Sequence, residues 1–403
     1  MLELADVLEA RDRVATVARH TPLDYSHTFS EATGAEVHLK LETFQRTGSF
    51  KIRGAANRIS TLSPAEREAG VVTASAGNHA QGVALAGTKA GVDSKVVMPE
   101  YAPISKVRAT QAYGAEVVLH GSDYNEAQAK AHELADAEGR TYVHAFDDWR
   151  VMAGQGTIGL EIVDDLPEVE TVVVPIGGGG LIAGVATAVK ARKPDARIVG
   201  VQAEGASSVA QSLEKGQLTQ IDSVDTIADG IATRTVGEQT FEVIEERVDE
   251  VVTVDDFEIA VALTQLLERG KTLVEGAGAV PLAALLEGRF DFDEGEVVVP
   301  LLSGGNIDMN VLTTVVVRGL IETGRYVKIR TVLKDRPGAL EELLDILSSA
   351  RANIYGIQHD RTSRDVGMSD TEVELDLETR GPEHVAELLA AMREAGFDVE
   401  MLV

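Results

Sequence analysis

A lysine at the head of an apolar, helix-compatible run is the first feature of this sequence that could do chemistry. It lies in Thr47-Gly48-Ser49-Phe50-Lys51-Ile52-Arg53-Gly54-Ala55. Gly48 and Ser49 have the character of a turn and helix start, which puts Lys51 in the first turn of the helix that follows. An ammonium group there meets the positive end of the helix dipole and partial desolvation, and both lower its pKa. Only the neutral amine attacks a carbonyl, so a lysine held this way suits Schiff-base chemistry. A solvated surface lysine has the same local signature, and the rest of the chain has to decide between the two.

Three other stretches bear on that decision. Ser75-Ala76-Gly77-Asn78-His79-Ala80-Gln81-Gly82 follows an apolar strand at 71–73. Ile176-Gly177-Gly178-Gly179-Gly180-Leu181 follows a strand at 171–175, and Leu302-Ser303-Gly304-Gly305-Asn306 follows one at 297–301. Each is a strand-to-helix turn of small residues, the geometry that presents backbone N–H groups to an anion or a cofactor edge.

The elements that must position these turns alternate along the chain. Leu4, Val7, Leu8, Val14 and Val17 suit an amphipathic helix over 4–20, which Thr21-Pro22-Leu23 breaks; 37–41 alternates as a strand leading to the Lys51 turn. Segments 55–62, 71–73, 80–90, 95–98, 105–113 and 116–120 then alternate helix and strand, which predicts parallel strands with crossover helices. A second set, 156–164, 171–175, 181–191, 197–203, 257–269 and 297–301, predicts a larger sheet that the N-terminal segment joins. Ligands of such sheets bind beyond the C-terminal strand ends, where all four motifs fall. Near residue 324 the order becomes strand 326–334, helix 338–350, strands 353–360 and 370–378, helix 382–395 and strand 399–403, a ferredoxin-like βαββαβ pattern. The expected domains are 1–47 with 146–323, 48–145, and 324–403.

Taken together and in order, the four motifs resemble those of the fold-type II pyridoxal-phosphate enzymes, and most closely the threonine ammonia-lyase (threonine dehydratase) family, over residues 4–319. The resemblance implies an α/β fold with two open parallel sheets, like that of the tryptophan synthase β chain, and pyridoxal 5'-phosphate as cofactor. The C-terminal segment, with Asp335-Arg336-Pro337-Gly338-Ala339-Leu340 at its first strand–helix turn, resembles an ACT regulatory domain. By that likeness Asp335, Pro337, Gly338 and Asn353 would surround an amino-acid effector, and Gly338 would allow close backbone approach.

The same resemblance implies the roles of individual residues. Lys51 would anchor the cofactor and take the substrate's Cα proton, while the cofactor acts as an electron sink. Phe50 would pack on the cofactor ring, and Gly177, Gly178, Gly179, Gly180 and Leu181 would cradle its phosphate. Asn78 would bond the 3′ oxygen, and Ser303 would face the pyridine nitrogen. Ser75, Ala76, Gly77 and His79 would form the loop that holds the substrate carboxylate, with His79 as readily a buried structural histidine. Ala76 stands where related serine racemases carry a serine, so efficient racemisation is not expected. Glu275 matches a glutamate near the active site, although a surface carboxylate at a helix start would have the same local sequence. Glu204 matches one ligand of a divalent-cation site of relatives, but the aspartate expected six residues on is Ala210. That leaves too few carboxylate oxygens for a hard cation, and no metal site is expected.

Composition narrows the remaining classes. With 403 residues the chain exceeds one small core, and two or three domains are expected. The 65 acidic against 37 basic residues give a formal charge of −28, which opposes long-range attraction to nucleic acid or anionic membranes. The same excess, with few lysines, suggests a halophilic protein. There are no cysteines, so disulfides, thiolate metal sites and a cysteine nucleophile are excluded. No apolar run is long enough to span a membrane and no signal-peptide pattern is seen, which suggests a cytoplasmic enzyme. The expected reaction is β-elimination of L-threonine, with serine as a secondary substrate. Isoleucine or valine is the expected effector, and the expected assembly is a homo-oligomer, dimer or tetramer. Rival readings are a serine ammonia-lyase or racemase of the same fold and a non-catalytic amino-acid sensor. A dinucleotide oxidoreductase fits poorly, because the glycine run lacks the spaced third glycine and the acidic residue about twenty positions on.

Overall fold

Strand Thr171–Pro175 is apolar along its length because both its faces are buried, and this places it inside a parallel sheet. The computed structural model describes residues 1–361 and 367–403. In it, that strand is fourth in a six-stranded sheet ordered Leu23–Tyr25, Glu36–Leu41, Val297–Leu302, Thr171–Pro175, Arg197–Ala203 and Glu250–Val254. All neighbours run parallel except the edge strand Leu23–Tyr25. A second sheet, ordered Glu116–Leu119, Ser94–Met98, Val71–Ala74 and Thr141–Tyr142, is wholly parallel. Both sheets belong to one compact unit, Met1–Asp308.

Helix Trp149–Asp165 begins seven residues before the expected 156, because the Asp148 side chain caps it by accepting from the N–H groups of Arg150 and Val151. Helix Tyr124–Glu138 has no counterpart in the sequence reading. Its buried residues are Ala127 and Ala131, so one turn of alanine carries the contact and leaves little apolar periodicity.

Met309–Val403 forms the other compact unit, which includes helix Met309–Glu322; the sequence reading had carried the catalytic part to residue 323. Its strands and helices follow βαββαβ order: Tyr326–Lys334, Ala339–Ser349, Asn353–Asp360, Asp370–Glu378, Pro382–Glu394 and Val399–Met401. The antiparallel sheet is ordered second, third, first, fourth. Val327, Ile329, Val373 and Leu375 bury against Leu343, Leu347, Leu388 and Met392, so one sheet face meets both helices.

Candidate active site

Lys51 is the first residue of helix Lys51–Ser60, and its side chain lines a cavity of about 860 Å³. Its Nζ donates to the carbonyl of Ala145 at 3.0 Å and lies 5.1 Å from the centre of the Phe50 ring. Burial pulls the amine down to about 8, against the opposing pull of Glu275. The turn before it is fixed by Gly48 at φ +70°, where a Cβ would crowd the Asn306 side chain. The Phe50 N–H donates to the Ser303 carbonyl at 3.1 Å, and Ser49 bridges Gly304. The first and last motifs are thus stitched together through their backbones.

The glycine run closes another part of the same cavity. Gly179, at φ +89°, is the N-cap of helix Gly180–Arg192 and supplies no capping side chain. The first N–H groups of a helix have no partner within it and are left for a ligand. A Cβ on Gly178 would overlap the Phe146 ring, and one on Gly180 would press on the Phe146 backbone. His144 holds Phe146 in place: its Nδ1 accepts from the N–H groups of Phe146 and Asp147 at 3.2 and 2.7 Å. Thr240 Oγ1 donates to the Gly178 carbonyl at 2.8 Å, and Leu181 also lines the cavity.

Asn78, the first residue of helix Asn78–Ala90, donates through Nδ2 to Glu275 Oε1 at 2.7 Å. Asn306 donates through Nδ2 to Asn78 Oδ1 at 2.8 Å and to the Thr47 carbonyl at 2.6 Å. Burial pushes Glu275 up to about 6, with Asn78, Lys106, the Asn306 backbone and Lys51 each pulling the other way. Glu275 is therefore no free surface carboxylate, although it does open helix Gly276–Leu286. His79 is buried, and its Nε2 donates to the Val143 carbonyl at 3.1 Å, which leaves Nδ1 as a buried acceptor without a partner. Burial, helped by Lys51, depresses its pKa to about 3. Ser75, Ala76 and Gly77 line the cavity beside it, as does Ser303.

Every residue assigned to cofactor or substrate from the sequence thus lines one cavity. Asn306, His144 and Phe146, which shape this site, have no role in the sequence reading. Asn306 lay inside a quoted motif, whereas His144 and Phe146 sit in a turn whose sequence carries no helix or strand pattern. Glu204 opens a short 3-10 turn and is exposed, and the Ala210 N–H donates to Gln202. Among the described residues no group of three or more His, Asp or Glu side chains converges.

A cradle too narrow for any Cβ, an uncapped helix start suited to a dianion, and a desolvated amine across the same cavity fit a phosphate-bearing aldehyde cofactor. The profile of the pyridoxal-phosphate dependent enzyme family matches residues 14–304. The chain belongs to that family, and pyridoxal phosphate is its cofactor. An L-threonine ammonia-lyase of Geobacter sulfurreducens is 51% identical over 403 residues, with 100% of each chain covered. The structure of the processed form of threonine deaminase isoform 2 from Solanum lycopersicum superposes with a TM-score of 0.76 at 42% identity, over 78% of this chain and 92% of that one. Maize serine racemase superposes with a TM-score of 0.75 at 35% identity, over 80% and 98%.

Among the described residues, no helix is long and apolar enough to cross a membrane.

Proposed function

We propose that this chain is a pyridoxal-phosphate-dependent threonine ammonia-lyase. The observation that carries the reading is the Lys51 amine, tuned to about 8 and held on the cavity that the glycine turn, Asn78 and Ser303 share. L-threonine loses its Cα proton and β-hydroxyl, and the released enamine takes up water to give 2-oxobutanoate and ammonia.

When bound, the cofactor supplies an electron sink for the pair left at Cα. The chain's residues do the rest. Lys51 Nζ would anchor the cofactor and take the Cα proton. Phe50 would pack on the ring face, and residues 177–181 would hold the phosphate at the helix start. Asn78 would bond the 3′ oxygen, its amide fixed by Asn306 and Glu275. The hydroxyl of Ser303 would meet the pyridine nitrogen and, unlike an aspartate, would leave it largely unprotonated. The loop of Ser75, Ala76, Gly77 and His79 would hold the substrate carboxylate through backbone and side-chain donors. Glu275 supports Asn78 in this arrangement, which refines its expected substrate-binding role. Serine is a secondary substrate giving pyruvate, since one methyl is worth about 1–3 kcal/mol in a pocket.

A serine racemase is the second reading, favoured by the likeness to the maize enzyme. Ala76 has no hydroxyl to protonate the opposite face, which speaks against it. Purified protein given L-threonine and L-serine is expected to release 2-oxobutanoate faster than pyruvate and to form no D-serine; faster D-serine formation would replace the ammonia-lyase reading.

The βαββαβ segment is proposed as an ACT domain, joined to a catalytic part whose small domain is 48–145. Asp335, Pro337, Gly338 and Asn353 form its effector site, with isoleucine or valine as effector and an allosteric role in isoleucine biosynthesis. Support comes from Gly338, at φ +90° with open space where a Cβ would stand. The working protein is a cytoplasmic homo-oligomer, and the charge of −28 supports halophilic behaviour, which an activity maximum in dilute buffer would refute.

A further inference from the structure

The Lys51 helix carries a second cation, Arg53, that points away from the chemistry. Residues two apart on a helix project about 200° apart, so Lys51 and Arg53 leave the same turn in nearly opposite directions. The Arg53 side chain is 1% exposed and Glu42 is 0% exposed. Arg53 Nε and Nη2 grip the two oxygens of Glu42 at 2.9 and 2.7 Å. Its Nη1 and Nη2 grip those of Glu161 at 2.6 and 2.9 Å. Nη1 also donates to Thr157 Oγ1 and Nη2 also reaches the Arg19 carbonyl, each at 3.1 Å, so the two hydrogens of Nη2 are shared among three acceptors. Lys40, also fully buried, donates to Glu161 Oε2 at 2.7 Å and to the Thr21 carbonyl at 2.8 Å. Two cations face two carboxylates, and the cluster is neutral overall.

Stability alone is a weak reason for such a cluster. Taking four charges out of water is costly, and a packed apolar replacement is often as stable. What the cluster does uniquely is fix geometry, because each forked contact sets both distance and plane. Backbone packing tightens the same turn. The Gly54 N–H donates to Gln155 Oε1 at 3.1 Å, and a Cβ at Gly54 or Gly154 would overlap the facing helix.

We propose that Arg53, clamped by Glu42 and Glu161, is a positioning residue for Lys51: it sets the roll and depth of the helix start that aims the amine into the cavity. The proposal rests on the ammonia-lyase reading and adds the device that holds its base. A misplacement of about 1 Å at the reacting group costs about 100-fold in rate, while substrate binding elsewhere in the site is spared.

Two variants of the holoenzyme test it. Arg53→Lys keeps the charge and loses the fork. The double variant Arg53→Met, Glu42→Gln removes one opposite pair and leaves Lys40 with Glu161, so no net charge is buried. Both are expected to keep the parent's circular dichroism and a cooperative melt. Their kcat on threonine should fall ~10–100-fold with KM within ~3-fold, and the pH dependence of the bound-cofactor absorbance should shift. That absorbance needs no substrate, so it reports on Lys51 even if threonine is not the substrate; parent protein inactive on threonine would sink the ammonia-lyase reading alone. Parent-like kcat and parent-like absorbance titration in a folded variant would overturn the proposal. So would unfolding of both variants, which would make the cluster a prop of the fold and nothing more.

Discussion

Asn78 Nδ2 meets Glu275 Oε1 at 2.7 Å, which ties the first residue of one helix to the residue that opens another on the far side of the cavity. Burial, which this bond only partly offsets, sets what Glu275 does to stability. Burial lifts its pKa to about 6, above the 4.5 of a free glutamate, so the folded chain disfavours its ionised form. The contribution is fully present below the unfolded pKa and is lost as pH rises through the folded one. Glu275→Gln, which keeps an oxygen for Asn78 and Asn306, is therefore expected to stabilise the protein by about 1–2 kcal/mol at pH near 8 and to change nothing at pH near 4. Thermal melts of both proteins at the two pH values check it; equal melts at the higher pH would refute it.

Lys51 titrates near 8, and its neutral form is the reactive one. Covalent capture of the cofactor by the cofactor-free protein is therefore expected to rise in rate with pH and level off above that value, followed by the change in cofactor absorbance on mixing. Lys51→Ala should lose at least ~1,000-fold in kcat and fail to retain the cofactor covalently, read by mass spectrometry after borohydride reduction.

The Phe146 ring fills the space where a Cβ of Gly178 would lie. Gly178→Ala is expected to weaken cofactor retention at least ~10-fold and to cost about 1–3 kcal/mol of stability, as overpacking does. Adding Phe146→Leu should restore part of both, measured by equilibrium dialysis against the cofactor. No recovery in the double variant would mean that the ring is not the obstacle.

His79 has its pKa depressed to about 3 from 6.5 by burial, so its neutral form is the folded one. Stability from this group is present above the unfolded pKa and falls as pH drops through the folded value. His79→Gln, which keeps a donor for the Val143 carbonyl, should reduce the acid slope by about 1.4 kcal/mol per pH unit across that window. Unfolding free energies across a pH series give that slope directly.

The C-terminal reading is checked by a chain ending near residue 323, which should turn over threonine and ignore isoleucine and valine. Inhibition of that shortened protein by the amino acid that inhibits the full chain would place the effector site elsewhere.

Much of this architecture was legible in the sequence. Strands Thr171–Pro175, Arg197–Ala203, Tyr326–Lys334, Asn353–Asp360 and Asp370–Glu378 have the bounds that their β-branched runs and turn residues mark. Helix Tyr124–Glu138 did not show itself because alanine carries its contact. Glu275 was left open between cavity and surface, since a helix N-cap looks the same in either place until the helix is docked.

By itself the sequence determined the local chemistry: a lysine at a helix start, a run of four glycines between a strand and a helix, and small-residue turns at strand ends. Those depend on residues close together in the chain. The tertiary structure alone decided which groups share a cavity. Asn306 reaches Thr47 and Asn78, and Arg53 finds Glu42 and Glu161, across separations of 259, 228, 11 and 108 residues. The amine and carboxyl pKa values follow from that meeting as well. Desolvation and opposing charge act through space, and only the closed fold sets those distances.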